Sequence, residues 1–332
     1  MTAQAISAPA SNARSGDVVA DIVADVVAAT RRGTVLYCRS RLHAPWGIRM
    51  PAGALASVHV VTAGACWLMP DIGEPLHLAR GDVILVPSGL GHSIADIPGR
   101  PARPLAELIG GPVGVGPVEL VIDGSGPPTG LLCGGYLLAP GPLHPLTAML
   151  PPIVHIGAGQ ARGTGLTAAV DLLAAEAQGT DPGASAVVAP LIDLLFVYLL
   201  RSWLAGQARA DVGWAAALYD PAVGGALSLI HADPARPWTV ATLAQAMGVP
   251  RATFSRRFTK LTGQPPMTYV TTWRMTVAAR LLREGQAPLR EVAPRVGYDS
   301  EFAFARTFKR VIGNPPGHYR ATVSEAGIPA QK

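Results

Sequence analysis

The chain has 332 residues, 49% of them apolar and 15% charged, a length for two domains with a connector and a composition that favours packed order over disorder. The most apolar run, Val187–Leu200, contains Pro190 and Asp193 and stops at Arg201, too short and too interrupted to span a bilayer. No basic segment followed by an apolar core opens the chain, and the three widely spaced cysteines give neither a disulfide framework nor a zinc spacing, so a cytoplasmic protein without membrane contact is expected.

In chain order, residues 1–16 read as a leader of Ala, Ser and Asn. Asp17 then starts a short helix with Val18, Val19, Ile22, Val23, Val26 and Val27 on a broad apolar face, ended by Arg31-Arg32-Gly33. Residues 1–33 therefore form a leader and an N-terminal helix whose apolar face needs a partner in the domain that follows.

From Thr34 to about Pro140 the texture changes to short apolar runs broken by Gly and Pro. They include VLYC (35–38), ASVHVV (56–61), CWLM (66–69), VILV (83–86), VELVI (118–122) and LLCGGYLL (131–138). Many short strands at close spacing predict an all-β barrel or sandwich. Within it, GDVILVPSGLGHSIAD (Gly81–Asp96) has the spacing of the second motif of cupin barrels, and the segment resembles a cupin. APWGI (44–48) and SVHVVTAGACWL (57–68) are similar to the ligand-binding domains of a subset of AraC-type regulators. Residues 34–160 are accordingly read as a cupin-like sensory domain.

Cupin enzymes hold a metal with His-x-His, a nearby Glu and the second-motif His. Here His59 stands between Val58 and Val60, and residues 61–66 hold no carboxylate. His59 and His92 are the remaining ligand candidates, with His77 a distant third. Two imidazoles without a carboxylate make a poor catalytic iron or manganese site, so catalysis is not expected. Two readings stay open for the pair: hydrogen-bonded interior histidines, or contacts to an effector or a divalent metal in the barrel. Cys38, Cys66 and Cys133 fall in predicted strands, where cysteine usually acts as a small hydrophobe. The resemblance adds a thiol switch as the second reading, because related regulators include oxidant sensors.

Beyond HPLTAMLPPIVHI (His144–Ile156) the pattern turns helical, with candidates at Thr167–Ala177 and Ala184–Leu204. Leu191, Leu194, Leu195, Val197, Tyr198 and Leu200 give the second helix more apolar surface than one stripe. Residues 161–213 are read as a connector that caps the sensory domain and dimerises, with Gly206–Gly213 as linker.

Residues 214–325 form the last domain. Arg251–Tyr269 and Glu301–Tyr319 repeat one pattern: Phe254, Arg256, Phe258, Gly263, Pro265, Pro266 and Tyr269 recur as Phe304, Arg306, Phe308, Gly313, Pro315, Pro316 and Tyr319. Upstream, Leu243, Ala244, Met247 and Gly248 correspond to Val292, Ala293, Val296 and Gly297 one residue closer, so the second turn is one residue longer. Each copy, about 238–261 and 289–311, reads as helix, Gly turn, helix. Phe254, Phe258 and Leu261, then Phe304, Phe308 and Val311, form the inward stripes. Arg251, Ala252, Ser255 and Arg256 face outward on the first helix. Glu301, Phe302, Ala305, Arg306 and Lys309 do so on the second, which Ser300 can cap. Val270, Trp273, Arg274, Val277, Ala278 and Leu281 suit one helix between the copies. Residues 238–320 hold 13 Lys/Arg against 4 Asp/Glu, a net +9, whereas the whole chain is +5 and the remainder therefore −4. That concentration suits phosphate contacts.

WTVATLAQAMGVPRATFSRRF and VGYDSEFAFARTFKRVIGNPPGHYR resemble the DNA-binding domain of AraC/XylS-type transcription regulators. The resemblance implies an α+β multidomain chain: a cupin-like β-barrel followed by an all-α domain with two helix-turn-helix motifs. It implies that the nine outward residues contact bases of double-stranded promoter DNA, with a homodimer and, for an activator, RNA polymerase as partners. The alternative is a metal-dependent cupin enzyme fused to a DNA-binding domain.

Overall fold

The computed structural model describes residues 22–28, 31–53, 55–111, 116–138, 150–161, 164–178, 183–207 and 213–326. The expected leader, the start of the first helix at Asp17, most of the stretch from His144, and residues 208–212 of the linker lie outside the described residues. Residues 22–28 are helical, and Ile22, Val23, Val26 and Val27 are its buried face. The sequence reading ends this helix at Arg31-Arg32-Gly33. Instead Arg31 already pairs with Leu138 in a β ladder, with an irregularity before Thr34 that absorbs the basic pair and the glycine.

Eleven strands follow among the described residues: β1 (Arg31–His43), β2 (Gly47–Met50), β3 (Leu55–Ala63), β4 (Ala65–Pro70), β5 (Leu76–Ala79), β6 (Val83–Val86), β7 (His92–Ala95), β8 (Arg103–Pro104), β9 (Gly116–Ile122), β10 (Pro128–Leu138) and β11 (Val154–Ile156). They form a six-stranded sheet in the order β11-β6-β3-β10-β1-β9 and a five-stranded sheet in the order β5-β4-β7-β2-β8. The expected barrel is thus laid out as two facing sheets, and no ladder joins them into a ring among the described residues. Cys38, Val61, Ile84 and Leu131 from the first sheet meet Cys66, Leu68 and Ile94 from the second, and Trp46 just before β2, in one buried cluster.

The period-2 alternation of strands sends the other residues of the large sheet outward. Val58, Val60, Leu85 and Leu132 lie in a second cluster with Leu173, Ile192, Leu195 and Leu199 of two helices, Gly165–Gln178 and Ala184–Gly206. Both faces of β3 are therefore covered, which is why ASVHVV reads as a continuous apolar run. Burying each such valine or leucine stabilises the fold by about 1.5–3 kcal/mol. On the long helix, Val187 and Leu194 stay 43% and 40% exposed, so its apolar surface exceeds what the sheet covers.

The last domain is all helix: Trp214–Tyr219, Pro221–Ala232, Val240–Ala246, Arg251–Thr262, Pro266–Glu284, Leu289–Arg295, Glu301–Ile312 and Pro316–Ala326. Asp220 caps the second of these by accepting from the backbone N–H of Ala222 and of Val223, each at 3.0 Å. The 19-residue helix Pro266–Glu284 is about 28 Å long and separates the two helix-turn-helix units. The outward cluster of the sheet, the connector helices and this domain form one continuous buried core.

Candidate nucleic-acid interface and sensory interior

The first helix-turn-helix opens on a capping box. The Thr239 hydroxyl accepts from the Thr242 N–H at 3.0 Å, and the Thr239 N–H donates to the Thr242 hydroxyl at 2.9 Å. Helix Val240–Ala246 buries Leu243 and Ala244, the chain turns through residues 247–250, and helix Arg251–Thr262 follows. In the second unit the turn is residues 296–300, one residue longer, as the spacing predicts. Gly248 and Gly297 take φ of +66° and +78°. At Gly297 a Cβ would also stand 2.6 Å from the Ala235 carbonyl oxygen, so the turn needs glycine on two counts.

Each second helix shows the expected sides. Phe254 and Phe258 are fully buried and Leu261 nearly so, while Arg251, Ala252 and Arg256 are exposed and Ser255 is half-buried. Phe304 and Phe308 are fully buried, whereas Glu301, Phe302, Arg306 and Lys309 are exposed and Ala305 is half-buried. One assignment changes: Val311 is half-buried at the rim of an open cleft, and Ile312 completes the stripe at 8% exposure. Ile312 stands four residues after Phe308, and the larger side chain takes the inward place. The Ser300 hydroxyl caps the second helix by accepting from the Ala303 N–H at 3.3 Å. Phe302 is 85% exposed, beside Glu301 in the favourable first turn.

Not every cation of this domain faces outward. Arg274, on the helix between the units, donates to the carbonyls of Pro234 at 2.7 Å, Arg236 at 2.8 Å and Gly297 at 3.3 Å. It fastens the second turn to the segment before the first unit. Arg257 pairs with the capping carboxylate Asp220. Sequence periodicity places Arg274 among apolar neighbours but does not name the carbonyls it serves.

In the two-sheet domain His59 lies on β3 and His92 on β7, and their Nε2 atoms meet at 2.9 Å between the sheets. The proton order follows from the partners. His92 Nδ1 faces the Leu90 carbonyl oxygen at 2.8 Å, which only accepts, so Nδ1 carries the proton and Nε2 accepts. His59 Nε2–H then donates to it, leaving His59 Nδ1 to accept from the Cys133 thiol at 3.1 Å. Burial pushes both imidazole pKa values down, His59 the further, and the neighbouring His92 adds to the shift at His59. Cys133 stands opposite Cys38 on β1 and opposite His59 on β3. Burial pushes all three thiols up, Cys66 to about 12. His77 is exposed on β5 against the Trp67 ring, on the other side of its sheet. Sequence spacing alone does not pair His59 with Cys133; that pairing comes from the strand register.

A divalent metal does not fit this donor set. The two nitrogens of His59 point to different partners, and the one vacant lone pair is already the acceptor for Cys133. No group of three His, Cys, Asp or Glu is gathered for a metal among the described residues. A catalytic cupin centre needs a facial set with open positions, and the described residues gather no such set.

The cupin family model matches residues 21–205 and a helix-turn-helix domain model matches residues 243–322. A putative AraC-like transcription regulator of Streptomyces lividans is 36% identical over 295 residues, covering 86% of this chain and 95% of that one. The chain belongs to the AraC-like transcription regulators. Within the family, the HTH-type transcriptional regulator AlkR of Acinetobacter baylyi is 27% identical over 290 residues, 86% of this chain and 94% of its own. Among solved structures, the DNA-binding domain of AdpA in complex with a target DNA is 32% identical, covering 33% of this chain and 99% of that one at a TM-score of 0.32. The helix-turn-helix match over residues 243–322 and the AraC-like relatives mark the helical domain as a DNA-binding domain, and the cupin domain precedes it. No helix among the described residues is long and apolar enough to cross a membrane.

Proposed function

We propose that this AraC-type regulator binds promoter DNA through both recognition helices under the control of its cupin domain. The observation that carries the reading is the equivalence of Arg256 and Arg306: both exposed, at matching positions, on helices separated by a rigid helix about 28 Å long. That separation suits successive major grooves roughly 34 Å apart on one DNA face. The nine outward residues named above are the proposed contacts. The interior around His59 and His92 is the proposed place of effector action, with the thiols Cys38, Cys66 and Cys133 as the alternative sensing groups. Exposed Val187 and Leu194 on the long connector helix support a homodimer, and the cytoplasm is its proposed location. RNA polymerase is the further partner of an activator. A non-enzymatic role is supported by the hydrogen-bonded histidine pair, which offers no open position for chemistry.

Selection of bound sequences from random duplex DNA with the full-length protein tests the reading. The expected product is a bipartite site whose halves lie one helical turn apart, bound with affinity that falls steeply as salt rises. Failure to enrich any sequence at low salt overturns it.

A further inference from the structure

His231 sits at the end of helix Pro221–Ala232, buried against Trp273, whose ring stacks on it at 3.8 Å and 15°. Its two nitrogens serve different partners, one outside the domain and one in its core. Nδ1 meets the Asp25 carboxylate at 3.1 Å, and Nε2 meets the Tyr269 hydroxyl at 2.6 Å. A carboxylate only accepts, so Nδ1 carries the proton and the Tyr269 O–H donates to Nε2. Asp25 belongs to the helix at residues 22–28, within the cupin match, while His231 and Tyr269 belong to the helical domain. Tyr269 in turn lies edge-on to Phe258, the buried anchor of the first recognition helix, at 5.9 Å.

The repeat supplies its own control. Tyr319 is the equivalent of Tyr269 and lies against Phe308 in the same edge-on manner, at 5.5 Å. Its buried hydroxyl has no hydrogen-bond partner among the described residues. The same aromatic pair thus occurs in both units, and only the first is hydrogen-bonded, through one imidazole, to a carboxylate of the sensory half.

We propose that Asp25 is a positioning residue for the first recognition helix, Arg251–Thr262, acting through His231 and Tyr269, and that the state of the sensory half reaches DNA through the first helix-turn-helix. The polar chain is the link by which movement of the N-terminal helix is felt at Phe258. The second unit, without an equivalent chain, reads DNA independently of it. This rests on the proposed function, in which both units bind one operator.

The test uses the full-length protein and the operator selected on it, with two derivatives, each scrambled at one sub-site. Asp25→Ala and Tyr269→Phe are expected to weaken binding to the intact operator about five- to tenfold, the scale of one hydrogen bond. The penalty for scrambling the first sub-site should shrink by the same factor, and that for the second should stay as in the parent. Asp25→Asn, which keeps an acceptor oxygen, should restore most of the loss. Tyr319→Phe should stay within about twofold of the parent, because it removes no bond. Hydrogen exchange on the same proteins should quicken in residues 251–262 of Asp25→Ala and not in 301–312. Tyr269→Phe matching Tyr319→Phe, or equal losses at both sub-sites, overturns the proposal. A parent that selects no sequence instead overturns the DNA-binding reading, and this inference with it.

Discussion

His59 and His92 share a single proton between their Nε2 atoms at 2.9 Å, deep between the two sheets, with each residue 2% exposed. The Leu90 carbonyl at one end and the Cys133 thiol at the other fix its direction. Neither ring has a carboxylate in hydrogen-bond contact to offset the cost of charging it, so both are neutral in the folded chain.

That neutrality sets a pH dependence. Both folded pKa values lie below the ordinary value near 6.5. The unfolded chain therefore binds more protons than the folded one once pH drops below about 6.5. The stability is fully present above that value and is lost as pH falls toward the lowered folded values. Buried His231 adds to the loss with the same sign, since its pKa is also lowered by burial. Urea midpoints measured from pH 7.5 to 5 should fall for the parent and fall less for His59→Gln/His92→Gln. Parallel curves for the two proteins would show that the pair does not titrate in this window.

The thiols should be slow. A thiolate is the reactive form, and burial raises the pKa of Cys38, Cys66 and Cys133. At pH 8 a thiol-disulfide reagent should titrate none of the three within minutes in native protein and all three in denaturant. Rapid reaction of one cysteine in the native state would mark it as an activated thiol and favour oxidant sensing.

Base reading divides between two arginines. Arg256 and Arg306 are exposed at equivalent places, and Arg is the commonest specific reader of guanine. Each change to Ala should cost about 1–3 kcal/mol on the preferred site and relax one sub-site only. Equal losses on preferred and random DNA would make them phosphate contacts. Arg274→Ala should behave differently, because its guanidinium holds three backbone carbonyls rather than facing solvent. It should lower the unfolding midpoint.

The helical domain was legible in the sequence because its determinants are local. Gly248 and Gly297 break helices, Ser300 caps one, and Phe254, Phe258, Phe304 and Phe308 keep a period near four. The layout of the two sheets was not, since it depends on pairings such as Cys38 with Cys133 and Cys133 with His59, which join residues far apart in the chain. Alternation along β3 does place Ser57, His59 and Val61 on one face, but it cannot say which strand lies opposite. The Asp25–His231–Tyr269 chain was hidden for the same reason: its ends are 244 residues apart and no spacing connects them. The helix end expected at Arg31-Arg32-Gly33 failed because a long-range ladder claimed Arg31.

Phe302 and Phe304 give the sharpest separation of surface from core. Phe304 is fully buried against Phe308 and Tyr298, at ring distances of 5.7 and 6.0 Å. Phe304→Ala leaves a cavity and should destabilise the domain by about 3–5 kcal/mol. Phe302, two residues earlier and 85% exposed, rests on nothing that folding needs. Phe302→Ala should change stability by no more than about 0.5 kcal/mol. An exposed phenylalanine in the first turn of a recognition helix has a use at the DNA edge, where an aromatic ring makes apolar contact with a thymine methyl. Phe302→Ala should therefore weaken binding to the selected operator, and the loss should vanish when the base it touches is changed. The measurement is the affinity of parent and variant for operators substituted one base pair at a time across the second sub-site. Unchanged affinity on every operator would leave the ring without a role in reading DNA, and a matching fall in thermal stability would return it to the core.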